Sequence, residues 1–314
     1  MSQGLRGILL KLRTNASRST ADVSAPSRRL PLIALKGLVL LLVGMGLASA
    51  FSLIGCDDSS QKVMLQMKFE PSRKLVYHQV NKQTISLNNS PVVSQNSESE
   101  GEMTQTVLAV SDSGYANINE SSVWSWSEAD ADSSIKVVSS TEELEYTMAP
   151  NGKVSDLSLP ADAEASKWKE YAQSNLEQSQ PTFPSEEVGK GYTWMQTVKI
   201  FMPSGEKLDA STTYEVSEFV EVDGRKCAII DYRGNLILPF DVMESDTLTR
   251  RGVDKVDVSG SLVFDYEHGY VYSQEEKTQI TAERSKIQGN QATQYTALIE
   301  GELFFRLKES SEAD

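Results

Sequence analysis

In this 314-residue chain, Cys56 has surroundings that specify a reaction. It closes the stretch Leu53-Ile54-Gly55-Cys56 at the end of an apolar run, and Asp57-Asp58 follow at once. That order reads as a bacterial lipobox. Its chemistry is a thioether from the Cys56 thiol to a lipid, a cut before Cys56, and acylation of the new N-terminus. Each buried methylene contributes about 0.8 kcal/mol, so three chains hold a protein at a membrane in effect permanently. Asp57 resembles the signal that keeps lipoproteins of enteric-type bacteria in the inner membrane, which favours its periplasmic face over the outer membrane. The expected partners are therefore the membrane and the export and lipoprotein-processing machinery.

Elsewhere the sequence offers little chemistry. His78 and His268 each stand alone, whereas metal ligands cluster. Glu128, Asp130, Asp132 and Ser134 alternate like the start of a calcium loop. Counting from Asp130, however, Ile135 stands where glycine is needed and Thr141 where glutamate is needed. Nucleophile elbows, zincin helices and phosphate-binding glycine loops are missing from the sequence. Paired carboxylates could hydrolyse a glycoside, but acids are too numerous here for a pairing to be informative. Trp124 and Trp126 share one strand face and could stack on a sugar or seal a lipid cleft; plain packing is the ordinary use of such rings. The sequence thus predicts no cofactor, no metal and no recognised enzyme activity.

The segments around these residues set the compartment. Seven of the 30 basic residues and one of the 44 acidic ones precede Leu38. Gly37 to Gly55 is uncharged and ends in small residues, as a secretory signal does. A stretch of that length could also span a bilayer uncleaved, and Ala48-Ser49-Ala50 is itself an ordinary cleavage motif. Without the leader the formal charge is about −20. Such acidity repels phosphate backbones and argues against nucleic acid as a partner. If Cys56 is acylated, Cys227 is left alone in a strand-like run as a small hydrophobe; a Cys56–Cys227 disulfide is the alternative in an oxidising compartment.

Period-2 alternation predicts a mainly β fold of antiparallel sheet with one buried face. It runs through Tyr295 to Leu307, Val256 to Tyr266, Trp194 to Met202 and Val63 to Phe69. Hairpin turns are expected at Asp112-Ser113-Gly114, Asn151-Gly152, Asp223-Gly224 and His268-Gly269. The halves look alike: Phe69 and Tyr77 match Phe183 and Trp194, the Gly114 turn matches the Gly224 turn, and the Gly152 hairpin matches the Gly269 hairpin. A helix is predicted over Ala161 to Glu177, with Ala165, Trp168, Ala172 and Leu176 on one face. Asn88 to Gly101 and Glu128 to Ser134 read as exposed loops, and the chain after Lys308 as a frayed tail.

The expected organisation is a signal peptide over 1–55, a first β-module over 56–159, helix and linker over 160–182, a second β-module over 183–308 and a tail over 309–314. The modules are expected to be similar curved antiparallel sheets joined by the helix. The segment Phe183-Pro184-x-x-x-Val188-Gly189-x-Gly191-x-x-Trp194 resembles a family of uncharacterised bacterial envelope lipoproteins. That resemblance implies an anchored leader and no catalytic residues. The curved sheet it implies is similar to the half-barrels of envelope lipoprotein carriers, a likeness of fold that does not fix function. Three functions are in play. One is an apolar-ligand or partner-segment binder using Trp168, Trp124 and Trp126. The second is an adaptor docking another envelope protein on a strand edge. The third is a hydrolase of unrecognised type.

Overall fold

The computed structural model describes residues 61–87, 94–129, 135–158, 165–201, 207–245, 248–288 and 291–311. The leader, the lipobox Leu53 to Gly55, Cys56 and Asp57 lie outside them, as do Asp130, Asp132 and Ser134.

A short β1 (Lys62–Val63) leads into two meanders. The first is β2 (Lys74–Leu87), β3 (Ser94–Val110), β4 (Ala116–Ala129), β5 (Ile135–Met148) and β6 (Val154–Ser158). The helix α1 (Ala165–Ser179) and β7 (Val188–Gly189) follow. The second meander is β8 (Thr193–Phe201), β9 (Lys207–Val222), β10 (Arg225–Ser245), β11 (Leu248–Asp265), β12 (Tyr270–Gln288) and β13 (Gln291–Ser311). The fold is mainly β, as the alternation predicts. All four expected turns close hairpins, with Gly114, Gly152, Gly224 and Gly269 at positive φ. At Gly152 a side chain is also excluded by space, since a Cβ would lie 2.3 Å from the Pro181 carbonyl oxygen.

The two meanders are not two sheets. β2 pairs with β13, from Leu87 opposite Ala297 to Lys74 opposite Ser311. The result is one eleven-stranded antiparallel sheet in the order β6-β5-β4-β3-β2-β13-β12-β11-β10-β9-β8. β1 pairs with β7 beside it. Laid flat, strands about 4.8 Å apart would hold the edge strands β6 and β8 roughly 48 Å from each other. Yet α1 packs against both, and a helix is only about 10 Å wide. The sheet is therefore rolled, and its inner faces enclose a main core that includes Ile118, Tyr146, Ile230, Leu262, Phe264 and Leu176, beside a smaller cluster that includes Tyr77, Met103, Phe305 and Leu307.

Several expected boundaries move. Ser94 to Gly101 is not loop but the start of β3, paired with β2. Glu128 and Ala129 belong to β4. Glu309 to Ser311 continue β13 against β2 rather than fraying. Of the alternation Val63 to Phe69 only the first residue lies in a strand. The rest runs extended across the foot of the roll, where Met67 N donates to Pro150 O at 2.6 Å and Lys68 N to Gly269 O at 3.1 Å. It alternates because Leu65 and Met67 plug the core from below, not because it joins a ladder. The helix ends at Ser179, two residues beyond its expected end.

Candidate functional site

Register builds the inner face in levels. One runs through Leu262, Gln274, Phe305, Gln79, Gly101 and Trp124. The next, one step from the turns at the foot, holds Tyr214, Tyr232, Gly260, Glu276, Leu303, Asn81, Ser99 and Trp126. Above it stand Thr212, Gly234, Val258, Thr278, Gly301 and Gln83. Then the face turns apolar again with Leu236, Val256, Ile280, Ile299 and Ile85. A polar belt thus crosses the interior between more apolar rows.

Two glutamates sit in this interior, one per meander. Glu120 is 1% exposed and accepts hydrogen bonds from Tyr146 Oη at 3.0 Å and Gln105 Nε2 at 3.2 Å. Glu276 is 2% exposed and accepts from Tyr232 Oη at 3.0 Å and Thr278 Oγ1 at 3.3 Å, while Gln274 Nε2 donates to Tyr232 Oη. Burial, and after it the Glu276 charge, push the Tyr214 and Tyr232 hydroxyls above the usual phenol range. Gln79, at 1% exposure, has no hydrogen-bond partner for either amide atom. Higher up, Arg284 clasps Asp254 with Nε to Oδ1 at 3.0 Å and an NH2 to Oδ2 contact at 2.5 Å.

The helix closes the roll. Leu176 is fully buried and Ala172 packs beside it. Ser174 Oγ donates to the Lys199 carbonyl on β8 at 2.8 Å. Gln196 of β8 caps the C-terminal end, its Nε2 donating to the carbonyls of Glu177 and Gln180 and its Oε1 accepting from Thr182 N. Trp194 Nε1 donates to Thr182 O at 2.9 Å. Between this end of α1 and the sheet lies a cavity of about 60 Å³, lined by Met67, Leu75, Tyr77, Ile118, Met148, Leu303 and Phe305 with Arg73, Gln105 and Gln274. A larger hollow of about 700 Å³ lies on the outer face of β9 to β13. Its walls are mostly charged and polar, among them Arg233, Asp257, Lys277, Glu300 and Glu302, so it gives an apolar molecule little to bury against.

Of the residues singled out from sequence, Trp124 and Trp126 lie half-buried on the inner face of β4. The Trp124 ring rests on Gly101, where an added Cβ would come within 2.9 Å of it. Trp168 belongs to α1, but its side chain lies outside the described residues. His78 faces Glu100 at 3.5 Å on the outer surface, and His268 Nδ1 lies 2.8 Å from Asp265 Oδ2 in a turn. No group of metal-binding residues occurs among the described residues. Cys227 is buried and free; burial and the Asp265 charge push its thiol up to about 11, the reverse of an activated nucleophile. Gln79, Glu120 and Glu276 were missed by sequence reasoning. The signal was present: each is a polar residue at a core-face position, as in Tyr77-x-Gln79 and Ile118-x-Glu120.

The fold defines a class, a rolled antiparallel sheet closed by a helix across its edges. No protein-family model matches the chain, and no curated protein does. Among solved structures, lipovitellin, studied for its lipid–protein interactions, is 12% identical at a TM-score of 0.45 over 79% of this chain, which spans 26% of that one. OmpF of Salmonella typhi, in complex with daunomycin, is 6% identical at 0.26, covering 76% of this chain and 99% of its own. The outer membrane protein OmpT of Vibrio cholerae is 10% identical at 0.22, covering 75% and 100%. Likenesses this low carry no functional argument. Among the described residues no helix is long and apolar enough to cross a membrane.

Proposed function

We propose that this is a lipid-anchored protein of the bacterial cell envelope that performs no catalysis and holds an apolar ligand inside its rolled sheet. The observation that carries the reading is the helix α1, on which both sheet edges end, with an apolar-walled cavity beneath its C-terminal end. A wall attached by one short helix can move more easily than a wall woven into the ladder. At about 60 Å³ the cavity is below the roughly 300–1,000 Å³ of ordinary ligand pockets, so a ligand of acyl length enters with α1 displaced. Anchorage through Cys56, with Leu53, Ile54 and Gly55 as lipobox and Asp57 as retention signal, would hold this interior at the periplasmic face of the inner membrane.

The test is titration of a neutral fluorescent apolar probe into the full chain in lipid nanodiscs, against empty discs. Saturable one-site binding supports the reading, and its absence removes it. Mass spectrometry of the detergent-extracted native protein reports acylation of Cys56 and any co-purified ligand in one measurement. Cys56→Ser is expected to leave an unprocessed precursor; normal processing without loss of acyl mass would refute the anchor.

A second reading has its own observation. Among the described residues, Leu236 to Ser245 of β10 pair with β11 alone, and the upper part of β5 pairs with β4 alone. Pro239, which has no N–H to give, suits such an edge. A partner protein could add a strand there.

A further inference from the structure

Resting on the reading above, we propose that the interior selects a ligand whose apolar tail ends in an uncharged hydrogen-bonding head, an alcohol or primary amide, and that Gln79 recognises that head. An amide buried without partners is costly, roughly 1–3 kcal/mol for each unsatisfied group, and folded proteins rarely leave one. Here both Nε2 and Oε1 are orphaned at 1% exposure. Gln79 lies between Tyr77 and Asn81 on the inner face, with Phe305 across the ladder. Tyr77, Phe305, Leu303 and Gln274 line the cavity, so Gln79 adjoins it through these neighbours without itself being part of the lining.

The surroundings define the head. A primary amide offers two donors and one acceptor, which match a group that both gives and takes a hydrogen. A carboxylate head would enter an interior that already buries Glu120 and Glu276, and like charges in a low-dielectric site disfavour each other. Neither cation in the cavity wall offsets this: the Lys68 ammonium donates to the Glu267 carbonyl at 2.7 Å, and Arg73 is committed as well. Its guanidinium is held by Glu70 at 2.5 Å and by the carbonyls of Lys68 and His268, both at 3.1 Å. An ammonium head would leave the Gln79 Nε2 donors orphaned, since it brings donors and no acceptor.

The experiment displaces the same probe from the full chain in nanodiscs with octanamide, octan-1-ol, octanoate and octylamine. The amide and the alcohol are expected to displace it at least about fivefold more effectively than the two charged heads, the worth of one net hydrogen bond. Gln79→Leu should abolish that preference while raising the melting temperature, because the orphaned amide is gone. Gln79→Met, of matching length, serves if the leucine variant does not fold. Equal displacement by all four heads, or a preference that survives in the variants, overturns the role of Gln79 and leaves apolar-ligand binding standing. Failure of the probe to bind at all overturns both.

Discussion

The two meanders share a sheet but furnish it differently. In the second, Leu236, Val256, Ile280 and Ile299 lie side by side, all buried. At that height, among the residues with described side chains, the first contributes half-buried Ile85, and one level nearer the foot than the belt of Gln83 it offers Asn81, Ser99 and Trp126. Fully apolar rows contribute the most burial energy, roughly 25 cal/mol per Å². At that height the second meander is thus the more apolar half. The first, with small polar and half-exposed aromatic positions, can change its contacts at lower cost. The contrast separates positions whose loss unfolds the protein from positions whose loss alters what it holds.

Phe264→Ala should have the largest effect. The ring is fully buried and packs on Phe183 at 4.6 Å between centroids, so truncation should cost about 3–5 kcal/mol in urea unfolding. Trp124→Ala, in the first meander, should cost less than half of that because its ring is half-exposed. Equal losses would break the contrast. Arg284→Met, again in the second meander, should cost about 3 kcal/mol or more by stranding the Asp254 carboxylate. Adding Asp254→Leu should restore most of the loss, and a double-mutant cycle reads the coupling directly.

The matched Glu–Tyr pairs sharpen the comparison. Tyr146→Phe and Tyr232→Phe each remove a hydroxyl donor from a buried glutamate and should cost about 1–3 kcal/mol. Each hydroxyl also accepts an amide, Tyr146 from Gln105 at 3.3 Å and Tyr232 from Gln274 at 2.7 Å, so Tyr232→Phe, which loses the shorter contact, should be the more damaging. The smallest effect concerns pH. The Cys227 thiol ionises at about 9 when unfolded and at about 11 when folded. Its contribution to stability is therefore complete below pH 9 and lost as pH rises to 11, where the unfolded state binds fewer protons. Cys227→Ala should flatten that fall slightly in unfolding measured across pH 8 to 11.

The strand faces and turns were legible because alternation and Asp-Gly or Asn-Gly turns are local signals. Tyr77 lies on β2, in the middle of the sheet, and Trp194 on β8, at its edge; Tyr77 stacks on Phe305 from β13 and Trp194 on Tyr214 from β9. What the sequence concealed was non-local. Ser94 to Gly101 has too few apolar residues to read as strand, yet β2 supplies its ladder, which shows how far pairing overrides propensity. The union of two meanders at β2 and β13 has no local signature at all. The site was half-legible: Trp124 and Trp126 were visible as a face, but Gln79, Glu120 and Glu276 were hidden by their polarity among core positions.

The pairing of β2 with β13 also orders events in time. On the ribosome β2 is the first long strand completed and β13 the last of the described strands, yet they are neighbours at the centre of the sheet. Contacts between distant parts of a chain close slowly. Until β13 arrives, β2 and β12 each present an unpaired edge, the kind of template on which chains aggregate. The nascent chain must therefore be kept from other chains for the whole of its synthesis. In a pulse-chase experiment, protease resistance of the first meander should appear only after β13 has been made.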